Sequence, residues 1–133
     1  MNQITKKLYR IMTPAQYREV RSCGFFMPAE LEREGHVYAC YLYQAEFVAG
    51  LLYNGEFGLT LLEIDPNKLG CDVEDKNLKG GTELFPHIKG AIPASACISE
   101  YPLPVEGDGT FELPIQLQEE YQYQLRKYGV GKA

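Results

Sequence analysis

The stretch Gly58-Leu59-Thr60-Leu61-Leu62-Glu63-Ile64-Asp65-Pro66-Asn67 reads as a strand closed by a turn. Residues 58–64 are almost continuously apolar and β-prone, the pattern of a strand at the centre of a sheet with both faces covered. Asp65-Pro66-Asn67 breaks it, because proline cannot extend a ladder and Asp and Asn bond back to their own backbone. Upstream, Phe47, Val48, Leu51 and Leu52 fall at helical spacing over residues 44–53 and are closed by Asn54-Gly55, which predicts a helix. Before that helix, residues 36–41 read as a strand. Alternation would set His36, Tyr38 and Cys40 on one face and Val37, Ala39 and Tyr41 on the other.

At the start of the chain, Leu8-Tyr9-Arg10-Ile11 forms a strand-like run within residues 7–12, and Thr13-Pro14-Ala15-Gln16 follows as a helix start. Thr13 can accept from an orphan N–H, Pro14 suits the first helical position and Gln16 completes a capping box, so a helix is expected to about Ser22, stopping at Gly24. Phe25, Phe26 and Met27 make a short apolar patch, and residues 30–34 are a polar stretch. Downstream of the central strand, residues 71–74 suggest a short strand, 77–82 a flexible loop around Gly80-Gly81, and 83–88 a return to β character. Pro86 there lacks a backbone donor and calls for an edge, a bulge or a loop exit. Residues 96–101 supply a last core strand.

Pro102, Pro104 and Glu106-Gly107-Asp108-Gly109 mark a boundary, so residues 1–103 read as one α+β domain and 104–133 as a linker with a C-terminal amphipathic helix of the same unit. Leu117, Tyr121, Leu125 and Tyr128 line one side of that helix, which is expected to stop at Gly129. Docking on its own domain is the simpler use of this face, and an oligomer contact is the competing one. Strands and helices mix irregularly, and no Gly-x-Gly-x-x-Gly or Gly-x-x-x-x-Gly-Lys follows a strand. An α+β domain is therefore favoured over a doubly wound sheet.

A chain of 133 residues, 45% hydrophobic and 12% aromatic, can bury a core as one domain without disulfides or metal. The net charge of −5 argues against a duplex-DNA clamp, whose affinity rests on neutralising phosphates. No run approaches the ~18 apolar residues of a membrane span, and the opening residues show no apolar region behind their lysines. A soluble, cytoplasmic protein is expected. Cys23, Cys40, Cys71 and Cys97 lack the close spacing of zinc ribbons or redox pairs, and with only His36 and His87 besides, no metal site is expected.

Chemistry concentrates in Gly80-Gly81-Thr82-Glu83-Leu84-Phe85-Pro86-His87-Ile88-Lys89-Gly90. Glycines admit a ligand close to the backbone, Glu83 offers an acceptor or general base, and His87 can exchange a proton near neutrality. The plainer reading is a tight loop with Glu83 solvated and His87 bonded to a backbone carbonyl.

Four motifs together resemble a known bacterial family: Leu8-Tyr9-Arg10-Ile11-Met12-Thr13 before a short helix, Gly35-His36-Val37-Tyr38, Leu61-Leu62-Glu63-Ile64-Asp65-Pro66-Asn67-Lys68-Leu69-Gly70, and Glu83-Leu84-Phe85-Pro86-His87-Ile88-Lys89-Gly90. Over about residues 8 to 103 the chain resembles the domain of unknown function 952 family. The resemblance implies an ADP-ribosyltransferase-like α+β fold, with split small sheets, a few short helices and a cleft that in relatives holds a nicotinamide dinucleotide such as NAD. By motif, the binding positions fall on Arg10, Tyr38 and Cys40, and the catalytic ones on Glu83 with His87 as a neighbour. Arg10 would pair a pyrophosphate, Tyr38 would stack on a flat ring, and Glu83 would bond a ribose hydroxyl and stabilise charge at the anomeric carbon. The family commonly carries His on the first strand and a His-x-Ser or His-x-Thr pair on the second, where this chain has Arg10 and Tyr38-Ala39-Cys40.

Three functions follow as alternatives. One is a nucleotide-binding domain of the ADP-ribosyltransferase-like type, marked by convergence of Arg10, Tyr38 and Glu83 and, if an enzyme, a glycosyl or ADP-ribosyl transferase. Another is a non-catalytic binding or interaction module. The third is an RNA-modifying transferase similar to RNA 2′-phosphotransferases, which needs several basic groups at the cleft.

Overall fold

The central strand of the sequence reading is the middle strand of the first sheet in the computed structural model, which describes residues 6–77, 83–106 and 110–128. β1 (Leu8–Met12) runs antiparallel to β4 (Leu59–Ile64), with Leu8 opposite Ile64 and Met12 opposite Thr60. β8 (Cys97–Leu103) lies antiparallel on the other side of β4, its register shifting between Glu63 and Ile64. The unbroken apolar character of β4 has a direct cause. Leu62 and Ile64 enter one hydrophobic cluster with Leu8, Met12, Phe26 and Ile88, while Leu59 and Leu61 enter a second with Tyr9, Ile11, Phe85 and Leu103.

The second sheet orders β3 (Val37–Tyr38), β6 (Leu84–Ile88) and β5 (Val73–Asn77), all antiparallel. A two-stranded ribbon pairs β2 (Phe25–Phe26) with β7 (Ile92–Pro93). Among the described residues one bridge joins the first sheet to the chain just after β3: Tyr9 N donates to Cys40 O at 2.7 Å, and Cys40 N to Tyr9 O at 2.9 Å.

The helices are α1 (Pro14–Cys23), α2 (Ala29–Glu34), α3 (Ala45–Leu52) and α4 (Ile115–Tyr128). α1 begins as the sequence predicts. Gln16 N donates to Thr13 Oγ1 at 3.3 Å, Thr13 N donates to Gln16 Oε1 at 3.1 Å, and Gly24 ends the helix at φ +81°. The polar stretch 30–34 is not a connector but α2, with Glu30 and Glu32 in the first turn, where they favour the helix dipole.

Three strand expectations are corrected. The strand read over 36–41 is only two residues long, so Cys40 does not share a strand face with Tyr38. Pro86 sits in the middle strand of its sheet rather than at an edge. The two facts share one cause: beyond the Tyr38 and His87 pair, Ala39 N donates to Pro86 O at 3.1 Å, but proline has no N–H to return the second bond, and β3 ends there. The short strand read at 71–74 lies instead at 73–77.

α4 packs against its own domain. Leu117 is buried in the second cluster with Phe111 and Leu113, and Tyr43 N donates to Gln124 Oε1 at 3.3 Å. Gln124, not Leu125, takes the buried position beside it, because the amide satisfies a backbone donor that leucine would leave bare. Glu46 of α3 accepts from Leu113 N at 3.2 Å and from Tyr121 Oη at 3.1 Å, which fixes the approach to the helix. The Gly80-Gly81 loop, Gly107 to Gly109 and the expected stop at Gly129 fall outside the described residues. No helix among the described residues is long and apolar enough to cross a membrane. The four cysteines are free thiols.

Candidate functional site

A cavity of about 310 Å³ opens where β1, the segment after β3, and α3 meet. Arg10, Tyr38 and Cys40 all line it, brought together by the pairing of β1 with the chain after β3. Most of the remaining wall is apolar, with Val48, Leu51 and Phe85 prominent. The outer rim is formed by Phe47, Leu51 and Leu52 of α3, each at least 60% exposed.

Alternation along β1 sets Arg10 on the face of Leu8 and Met12, where its guanidinium is taken into the protein and is only 9% exposed. Both of its terminal nitrogens are engaged there. Nη1 donates to Glu30 Oε2 at 3.0 Å and to Tyr38 O at 2.7 Å, Nη2 donates to Glu30 Oε1 at 3.3 Å, and the group lies 5.0 Å from the Phe26 ring centroid. Glu30 Oε2 accepts in addition from Tyr38 N at 2.6 Å. Glu30 therefore bonds Arg10 bidentately and holds β3 to α2, and the Arg10 charge is met before any ligand arrives. The buried Nε of Arg10 has no hydrogen-bond partner among the described residues.

Tyr38 turns its hydroxyl to the Glu34 carboxylate, which, with burial, pushes its pKa up to about 12. Its ring meets two imidazoles edge-on: His36 at 5.0 Å and His87 at 5.1 Å between centroids, with His36 and His87 4.6 Å apart. His87 is buried and its Nδ1 lies 2.8 Å from Phe85 O; since a carbonyl only accepts, Nδ1 carries the hydrogen. His36 is held below the ordinary imidazole range by burial first and the neighbouring His87 second, with Glu34 opposing. Cys40 is fully buried, and loss of solvation pushes its thiol up to about 12 despite the nearby Arg10, so it is no thiolate at neutral pH.

Glu83 is placed elsewhere. Its Oε2 accepts from Gln44 Nε2 at 2.9 Å, the same amide donates to Leu84 O at 2.7 Å, and Glu83 is not part of the cavity wall. Of the residues singled out in sequence, the fold thus gathers Arg10, Tyr38 and Cys40 at the cavity, sets His87 against the far side of the Tyr38 ring, and ties Glu83 to the turn at 42–44. Glu30 is the residue that sequence reasoning missed. Its signal was present: Pro28 followed by Ala29-Glu30-Leu31-Glu32 has the proline and the acidic first turn of a helix start.

Chemically, the described residues of the cavity wall offer apolar surface and one matched ion pair. Glu30 is committed on both oxygens, and the Cys40 thiol and Tyr38 phenol stay protonated. No group of three or more His, Cys, Asp or Glu among the described residues could hold a metal ion.

Two small antiparallel sheets stitched by one bridge, an apolar cavity beside the stitch and a docked C-terminal helix define a small mixed α+β domain. Its family is also identifiable. The model described as Protein of unknown function (DUF952) matches residues 11–100, and the chain belongs to that family. Among solved structures it is similar to protein CC0527 from Caulobacter crescentus. The crystal structure is 24% identical with a TM-score of 0.72, covering 87% of this chain and 98% of that one. The solution structure of CC0527 is 25% identical with a TM-score of 0.69, covering 87% and 97%. No curated protein matches.

Proposed function

We propose that this chain is a non-catalytic binding domain whose cavity receives one compact, largely apolar group. The observation that carries this reading is the state of Arg10: the only cation on the cavity wall among the described residues is held bidentately by Glu30 and by the Tyr38 carbonyl. A pyrophosphate there would have to displace a partly buried carboxylate that already bonds the guanidinium, at a cost of several kcal/mol. Space agrees with charge. A cavity of ~150 Å³ takes benzene, so about 310 Å³ suits two fused rings rather than a dinucleotide.

The ADP-ribosyltransferase-like, nucleotide-binding reading draws support from two separate small sheets flanking a cavity lined by Arg10, Tyr38 and Cys40. In that version only a nicotinamide ring enters. An RNA-modifying transferase has less support, since the wall lacks the several free basic groups it requires.

Amide NMR titrations with indole, nicotinamide and NAD separate these readings. Indole is expected to shift the Cys40, Val48 and Phe85 amides saturably, and Val48→Trp, which fills the cavity, to abolish the shifts. Read at those same cavity amides, NAD is expected to bind no more tightly than nicotinamide. An NAD affinity at least tenfold above that of nicotinamide, lost in Glu83→Ala, would establish the nucleotide reading instead.

A further inference from the structure

Lys6, Lys7 and Lys127 line a second groove, of about 390 Å³, between the start of β1 and α4. The chain as a whole carries −5, so three ammoniums in one groove run against its general charge. Lys6 and Lys127 are positioned by aromatic rings rather than by carboxylates. Lys6 Nζ sits 4.0 Å from the Tyr41 ring centroid and 4.1 Å from that of Tyr128; Lys127 Nζ donates to Tyr123 Oη at 3.3 Å and lies 5.4 Å from the Tyr128 centroid. A ring face attracts a cation without cancelling its charge.

Two carboxylates, Glu63 and Glu120, also line the groove, yet neither forms an ion pair with these lysines among the described residues. Glu63 accepts from Tyr9 Oη at 2.6 Å and Tyr101 Oη at 3.3 Å, and Glu120 accepts from Gln124 Nε2 at 2.9 Å. Three lysines therefore line one hollow with no ion-pair partner among the described residues, Lys6 and Lys127 held by rings, while the acids beside them are engaged by neutral donors. Their mutual repulsion is relieved by a multiply charged anion.

We propose that this groove binds the phosphate or pyrophosphate group of a small molecule through Lys6, Lys7 and Lys127. Tyr123, 45% exposed at the rim, offers a face for an attached ring. The groove shares only Tyr9 with the wall of the apolar cavity and takes the opposite kind of ligand.

The test is amide NMR titration of the full chain with inorganic pyrophosphate and, separately, with ADP. Saturable shifts are expected at Lys127 and Tyr128, and not at Val48 or Phe85. Lys7→Gln with Lys127→Gln leaves Lys6 between its two rings and is expected to weaken binding at least tenfold. Lys76→Gln with Lys89→Gln removes the same charge elsewhere and is expected to change it less than twofold. ADP binding tighter than pyrophosphate, with the margin lost in Tyr123→Ala, identifies a nucleotide; equal affinities identify the phosphate group alone. No saturable shift at about 10 mM pyrophosphate, which excludes even millimolar affinity, overturns the proposal. So does equal binding by the Lys7 and Lys127 variant, or an equal loss in the Lys76 and Lys89 variant.

Discussion

Glu30 decides what Arg10 can do. Removing it by Glu30→Ala leaves a buried guanidinium with only the Tyr38 carbonyl and strips Tyr38 N of its acceptor. A loss of about 3–5 kcal/mol is expected in urea unfolding, the usual cost of breaking one partner from a buried pair. Arg10→Met combined with Glu30→Leu should recover part of that loss, because no charge is stranded, but not all, because the Tyr38 backbone groups lose their partners. His36 carries a second prediction at this scale. The groups acting on it are His87, Lys76 and Lys89, which disfavour its protonation along with burial, and Glu34, which favours it. The unfolded chain takes up this proton near pH 6.5 and the folded protein only at lower pH, so below about 6.5 the unfolded state binds more protons. Stability from this residue is thus complete above pH 6.5 and falls as pH drops toward the depressed folded value, by at most ~1.4 kcal/mol per pH unit. Urea midpoints at pH 7 and 5.5 check it: the drop should be smaller in His36→Phe than in the unaltered chain.

Among the elements, β3 and α4 show how neighbours set length and position. β3 stops where Pro86 fails to return a bond, which frees the next residues to turn and lets Cys40 pair with Tyr9. The bridge between sheets, and with it the cavity, depends on that early stop. α4 is held at its approach by one carboxylate, Glu46, which meets Leu113 N and Tyr121 Oη. Glu46→Ala is expected to speed hydrogen exchange across 115–128 by about tenfold, the effect of losing roughly 1.4 kcal/mol, and to leave β4 amides unchanged. Uniform acceleration throughout the chain would show instead that α4 and the sheets open as one unit.

At the level of the whole molecule, β4 is the wall between two hydrophobic clusters. Leu61 belongs to one and Leu62 to the other, and both are buried. Leu61→Ala and Leu62→Ala should each cost about 2–5 kcal/mol, the range for truncating a core leucine. Both variants should unfold in urea in one transition, since each cluster draws residues from both larger sheets. A two-step curve for either would divide the domain along β4.

Local chemistry was legible wherever a short segment carries its own reason for its shape. The capping box at Thr13, the apolar run of β4, the helix over 45–52 and the α+β character all follow from patterns a few residues long. The meeting of Arg10 with Tyr38 was reached through family resemblance, not through spacing. What charge Arg10 shows a ligand was not legible, because Glu30 lies twenty positions away, and the helix start that marks it does not say which cation it meets. Nor was the place of Glu83, which Gln44 claims from across the fold, or of Pro86, whose missing N–H matters only against Ala39. By itself the sequence determined β1, α1, α3, β4 and α4 to within a few residues, since propensity, capping and alternation act over one or two turns, but not α2 or the two-residue strands. Only the tertiary structure decided which charges are cancelled and which are left facing solvent, because ion pairing depends on distances in space that chain separation does not encode.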